Sequence, residues 1–204
     1  MAGSLDVGVG MLIAASLSFA YGLEVHPPYV LVFGALFALL PDFDIVLPIL
    51  KGNIEGNHRL TLFHAPLLTL GIVAFFGAIG SFYAGNIFWL VCPLVCVLWH
   101  YIHDTEGWFL GNGAIAWAWP YRKTTYTFKG PTILEEGSHD EWLTTNWLKP
   151  ASLSIKELGL GALFVGAAIA FFYGSFWGCV AFAAAILSVI VAWISYSFFS
   201  RGFF

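Results

Sequence analysis

Charge is what this chain has least of. Only 10% of its 204 residues are Asp, Glu, Lys or Arg, against about 25% in an ordinary soluble domain. So little polar side chain cannot cover a water-facing globule, which excludes a soluble enzyme and a disordered chain. Basic residues are scarcer still, eight Lys and Arg against twelve Asp and Glu, for a net charge of −4. A nucleic-acid binder that works by neutralising phosphates is excluded with them. The three cysteines, Cys92, Cys96 and Cys179, all lie inside apolar runs. They are too few for a disulfide scaffold and read as free, buried thiols. The N-terminal Met-Ala-Gly-Ser-Leu-Asp has no positive n-region, so a cleaved signal peptide is not expected. No internal repeat or low-complexity tract is visible.

What the chain has in abundance is apolar length. Hydrophobic residues make up 59% and the mean hydropathy is +0.82. The length suits one domain. A bilayer-crossing helix needs about 20 mostly apolar residues, and six segments qualify: residues 7–23, 28–50, 62–84, 87–104, 158–174 and 176–199. The expected fold is all-α, a polytopic membrane protein of about six spans forming one integral domain. The second segment is interrupted by Pro41-Asp42-Phe43-Asp44. Proline breaks the helical ladder, and carboxylates at membrane depth are tolerated only against protein or a polar cavity. Between spans four and five lies a long loop, 105–157, rich in tryptophan (108, 117, 119, 142, 147). It is read as interfacial, with 107–120 a re-entrant or surface segment and 137–156 a surface helix.

The basic residues orient these spans. Lys51 and Arg59 follow span two; Arg122, Lys123, Lys129, Lys149 and Lys156 follow span four; Arg201 follows span six. With six spans all eight fall on one side, so both termini and both basic loops are expected in the cytoplasm, with the chain in the inner membrane.

Acids and imidazoles gather at that same level. Asp6 opens span one, Asp42 and Asp44 close span two, His58 and His64 precede or open span three, and His100, His103 and Asp104 close span four. His100 shares a helix face with His103 at i, i+3 and with Asp104 at i, i+4, where Cβ atoms are roughly 5–6 Å apart. Asp42 and Asp44, at i, i+2, point apart on a regular helix and meet one ion only if Pro41 opens it. Simpler roles exist for single members. Asp6 suits a helix N-terminus, His103 an interface beside Tyr101, His26 a turn before two prolines, and His139 a solvated loop. The small residues Ala162, Gly166, Ala170 and Gly174 read as a close helix contact. Asp42, Asp44, His64, His100 and Asp104 together, in a chain so short of charge, suggest a shared cation.

These residues form ordered blocks: Leu39-Leu40-Pro41-Asp42-Phe43-Asp44; His58-Arg59 with Thr61-Leu62-Phe63-His64; His100-Tyr-Ile-His103-Asp104-Thr105-Glu-Gly107; and Trp119-Pro120-Tyr121-Arg122. Over about residues 1–125 the chain resembles the YdjM-type membrane-bound metal-dependent hydrolases of bacteria and archaea. The resemblance implies a metal site of Asp42, Asp44, His58, His64, His100 and Asp104, and phosphoester hydrolysis, through the family's distant similarity to zinc-dependent phospholipase C and single-strand nucleases. The chain departs from the pattern at Asp6, where the family usually has His, at Ala65, where Ser is common, and in a His58–His64 gap one residue longer.

With Asp6 and His103 added, these ligands exceed the need of one tetrahedral zinc, so Zn or Mn, with room for two ions, is the expected cofactor. Asp42 and Asp104 are the residues expected to carry catalysis. Arg59 and Arg122 are candidates to clamp a phosphate, and serve equally as positive-inside anchors. The expected partners are membrane lipid and a small phosphorylated or lipid substrate, with no nucleic acid. Two other classes remain open: a metal or ion transporter, and a non-catalytic membrane subunit with a structural or decayed metal site. Reporter fusions at Ala84 and Gly174 are expected to read external; a cytoplasmic signal at either would overturn the six-span reading.

Overall fold

The computed structural model describes residues 3–45, 63–106, 115–119, 121–122, 124–128, 130–132 and 151–199. Among these, six α-helices dominate: α1 (Ser4–Ala20), α2 (Pro27–Leu39), α3 (Pro66–Ala84), α4 (Phe88–Glu106), α5 (Ala151–Tyr173) and α6 (Ser175–Phe199). They fall where the six apolar segments were read, so the chain is mostly helical. Two differences are local. The second segment is α-helical only to Leu39 and continues as a 3₁₀ helix, Leu40–Ile45. The long loop contributes a short antiparallel hairpin, β1 (Thr125–Thr127) with β2 (Gly130–Thr132), and its last residues already belong to α5. The expected surface helix at 137–156 lies largely outside the described residues.

The helix boundaries have local causes. Pro27 and Pro66 occupy first helical positions, where the missing N–H would be unbonded in any case. Gly85, at φ +63°, ends α3, and the N–H of Asn86 returns to the Ser81 carbonyl at 3.2 Å. Asn86 then starts the next helix, its Oδ1 accepting the Phe88 N–H at 2.9 Å. Gly174, at φ +88°, makes the one-residue turn between α5 and α6.

Helix α1 lies against α2, α4 and α5; α4 also packs on α2 and α3; α6 rests on α5. Glycine sets the closest crossings. A Cβ at Gly34 would overlap the backbone carbonyl oxygen of Gly10, and one at Gly8 would overlap that of Gly161. In α5, Gly166 and Ala170 meet Gly178 of α6, which is the contact the small-residue spacing implied. Cys92 and Cys96 are buried in the core with Ala14, Val30, Ala38 and Phe88. Cys179 is exposed on α6, contrary to its reading as a buried thiol.

Among the described residues one helix, Pro66–Ala84, is by itself long and apolar enough to cross a membrane, and most of it is unburied. The described apolar stretches of α1, α2, α5 and α6 are shorter.

The Gly10–Gly34 crossing generates a test. Gly34→Val must push α1 from α2 or distort both, at a cost of about 1–3 kcal/mol, read as a lowered thermal midpoint in detergent. Gly71→Ala, on α3 with nothing within 4 Å of the new methyl, should be neutral or raise the midpoint slightly.

A candidate metal centre at the joined helix ends

The first turn of α1, the end of α2, the start of α3 and the end of α4 meet at one end of the bundle. His100 sits near the C-terminus of α4, fully buried. Its Nδ1 donates to the backbone carbonyl of Ala38 at 2.9 Å. That carbonyl is available because of Pro41. In the 3₁₀ pattern that begins at Leu40, the donor due to Ala38 is the N–H of residue 41, and proline has none. With its proton on Nδ1, His100 presents a bare Nε2 to the other side of its ring.

Three more side chains converge on that Nε2. Asp42, carried on the 3₁₀ helix, places Oδ1 at 3.5 Å. Asp104, one turn beyond His100 on α4, places Oδ2 at 3.7 Å. His64 brings its Nε2 to 3.6 Å from Asp42 and 3.5 Å from Asp104. His64 is held through its neighbour: the carbonyl of Phe63 accepts from the Tyr101 hydroxyl and from Thr69 Oγ1 at 3.3 Å. The His64 ring meets those of His100 and Tyr101 edge-on, at 5.7 and 6.5 Å.

These separations decide the chemistry. Two carboxyl oxygens 3.5–3.7 Å from an unprotonated Nε2 are too far for good hydrogen bonds. They suit ligands on neighbouring corners of one coordination shell. Zinc bonded at 2.0–2.2 Å in a tetrahedron has edges of about 3.3–3.6 Å. The donor atoms of Asp42, His64 and His100 all lie within 4.8 Å of one another, a group able to hold a metal ion. Oxygen and nitrogen donors without thiolate suit Zn or Mn. His64, His100 and Asp104 are at most 1% exposed, whereas Asp42 is 20% exposed, so the cluster is open on one side. The amino end of α1 abuts Asp42, since a methyl on Gly3 would stand 4.0 Å from its Oδ2. The positive end of that helix dipole thus faces a carboxylate.

Asp6 and His103 form a neighbouring pair. His103 Nδ1 donates to Asp6 Oδ1 at 3.1 Å, and Trp99 stacks on His103 with rings 13° apart. Asp6 does not face the Nε2 cluster; its Oδ2 is 3.5 Å from His100 Nδ1, on the far side of that ring. Of the other sequence candidates, Asp44 lies on the 3₁₀ helix but its side chain is outside the described residues, as are His58, Arg59 and the loop histidine His139. Arg122 is exposed, beyond a turn in which its N–H bonds the Ala118 carbonyl at 2.9 Å.

The hairpin attaches to the same end. Phe128 N–H donates to the Thr105 carbonyl at 3.0 Å, and Trp117 Nε1 to Thr105 Oγ1 at 3.0 Å. Sequence reading gave Thr105 and Tyr101 no contacts of their own, quoting them only beside the histidines, and passed over Glu157. The first two are ordinary interfacial residues until the fold supplies their partners. Glu157, on α5, is 1% exposed and stands within electrostatic reach of His103. Its signal was a lone acid beside an apolar run, the same signal that singled out Asp6. No family model, curated protein or solved structure matches this chain.

Two outcomes are expected from substitution. His100→Ala or Asp104→Ala should lower bound metal measured by elemental analysis, while His139→Ala should leave it unchanged. Pro41→Ala restores a backbone N–H that competes for the Ala38 carbonyl. It should weaken metal binding by about 10-fold or more in competition with a chromophoric chelator. Equal affinity would show that the carbonyl serves both donors.

Proposed function

We propose that this chain is a membrane-embedded, metal-dependent hydrolase of the YdjM type. It acts on a phosphoester, a lipid headgroup or polyprenyl phosphate, that reaches the site from the cytoplasmic leaflet. One observation carries the proposal: two imidazole nitrogens and two carboxylates mesh at 3.5–3.7 Å around a common point, and of the four side chains Asp42 is the one partly exposed. Structural metal sites are closed, whereas catalytic ones keep a face for water or substrate.

Asp42, His64 and His100 would hold the ion, and Asp104, facing both imidazoles, would share the remaining corner with water or substrate. A metal held there would supply Lewis acidity toward a phosphoryl oxygen and would make water more acidic. The residues do the rest. His100 is locked in one tautomer by Ala38. His64 is fixed by the Phe63 carbonyl. The buried side of the cluster excludes water, so an incoming phosphate approaches past Asp42. Arg122, exposed next to Tyr121, and Arg59 are the cations assigned to meet an anionic headgroup. A second ion would draw on Asp44 and His58.

Membrane embedding is supported by what the helices expose. Helix α3 turns Phe75, Phe76, Phe82 and Tyr83 outward, and α6 turns Phe176 and Trp177 outward. A continuous apolar surface of this kind marks contact with lipid or protein rather than water. The site-bearing helix ends all lie on the basic-loop side of the six-span reading, which is the cytoplasmic side by charge.

The protein is tested in mild detergent. Elemental analysis should find at least one Zn or Mn per chain, and phosphodiester or phospholipid hydrolysis should vanish with chelator, return with either metal, and be absent in Asp42→Asn. Activity surviving in Asp42→Asn would refute the site. Metal without turnover of any phosphoester would favour the structural subunit, and metal-dependent flux in liposomes the transporter.

A further inference from the structure

Two buried acids among the described residues, Asp6 and Glu157, are not placed in the cluster, and Asp6 is the one that faces a histidine of it. It is 1% exposed and sits in the first turn of α1. One carboxylate oxygen is accounted for by His103 Nδ1. The other, Oδ2, is buried and has no hydrogen-bond partner among the described residues. It points at His100 Nδ1 from 3.5 Å, while that nitrogen donates its proton to Ala38 at 2.9 Å. His100 is thus backed by two acceptors, a carbonyl at bonding distance and a carboxylate just beyond it, both opposite its bare Nε2.

We propose that Asp6 is a positioning residue for the metal centre: it acts on the ion through His100 and is not itself a ligand. A carboxylate behind the N–H of a metal-binding imidazole raises the basicity of the opposite nitrogen and fixes the ring plane. Buried, its negative charge is weakly screened and is matched by the cation beyond the ring. His103 holds Asp6 in this role by taking the other oxygen, and the overlapping Gly8–Gly161 and Gly10–Gly34 approaches seat α1 so that Asp6 cannot withdraw without separating helices. Acid and histidine at the start of α1 are therefore not interchangeable here. A neutral imidazole at position 6 would lack the charge that His100 feels.

This inference rests on the metal-binding reading, and the experiment separates the two. Cobalt(II) is titrated into the metal-free full-length protein in detergent, following visible absorption for affinity and ligand geometry, with thermal unfolding of the metal-free form recorded alongside. Wild type should bind cobalt, and Asp6→Asn, isosteric but uncharged, should bind the same number of ions about 10–100-fold more weakly, with shifted absorption bands. A purely structural Asp6 would lower the unfolding temperature yet leave affinity and bands of the folded protein unchanged, and that result overturns the inference. Loss of a whole equivalent of cobalt in Asp6→Asn also overturns it, because Asp6 would then be a ligand. If wild type binds no cobalt, the metal reading falls and this inference with it. Should Asp6→Asn not fold, His103→Leu, which has no donor to offer Asp6 Oδ1, carries the test. It leaves the carboxylate but frees it, and weaker cobalt binding at unchanged stoichiometry is expected; unchanged affinity overturns the assignment.

Discussion

A histidine can face a metal usefully only if its other nitrogen is given something to do. Here that partner is the carbonyl of Ala38, 2.9 Å from His100 Nδ1, and the remainder of the site follows from the bond. It exists because α2 gives way to a 3₁₀ helix at Leu40 and because Pro41 has no N–H to claim the carbonyl first. The same 3₁₀ turn swings Asp42 beneath the ring. One proline therefore sets the tautomer of one ligand and the direction of another. The break in the second apolar segment is a constructed part of the site, not a flaw in a span.

The second constraint is spacing between helices. Side chains from the 3₁₀ turn after α2, from the residues before α3 and from the end of α4 are brought together, although each helix is otherwise a smooth apolar rod. Glycine pairs make this possible, because backbone against backbone leaves no side-chain rotamer to relax. Gly10 against Gly34 fixes α1 on α2, and Gly8 against Gly161 fixes α1 on α5. Tyr101 and Thr69, reaching the Phe63 carbonyl, fix the entry into α3. Polar atoms are few, and nearly all of those described at this end of the bundle either face the cluster or hold something that does.

The sequence makes parts of this legible and hides others for definite reasons. Helix extents follow from apolar length, proline at the starts and glycine at the ends. The i, i+4 spacing of His100 and Asp104 puts them on one face before any fold is known. Pro41 is legible as a break, but not that the chain continues past it in a tighter 3₁₀ turn. The Ala38 carbonyl is invisible because a backbone atom carries no residue signature. Asp6 is visible as a misplaced acid, yet whether it faces Nδ1 or Nε2 of a histidine 94 positions away depends on how α1 lies across α4, which no local pattern encodes. Glu157 is missed because its helix begins before the apolar run does: α5 starts at Ala151.

Helix α6 rests on α5, and no residue of the metal cluster lies on it. Outside its seam of Gly178 against Gly166 and Ala170, its side chains answer only to the requirement of being apolar. Natural variation should therefore be distributed very unevenly along this chain. The first four helices should change slowly and in concert, whereas the outer face of α6 drifts almost freely among hydrophobic residues. Constraint on this chain is thus concentrated in about its first half, where the side chains of the cluster and their supports are carried.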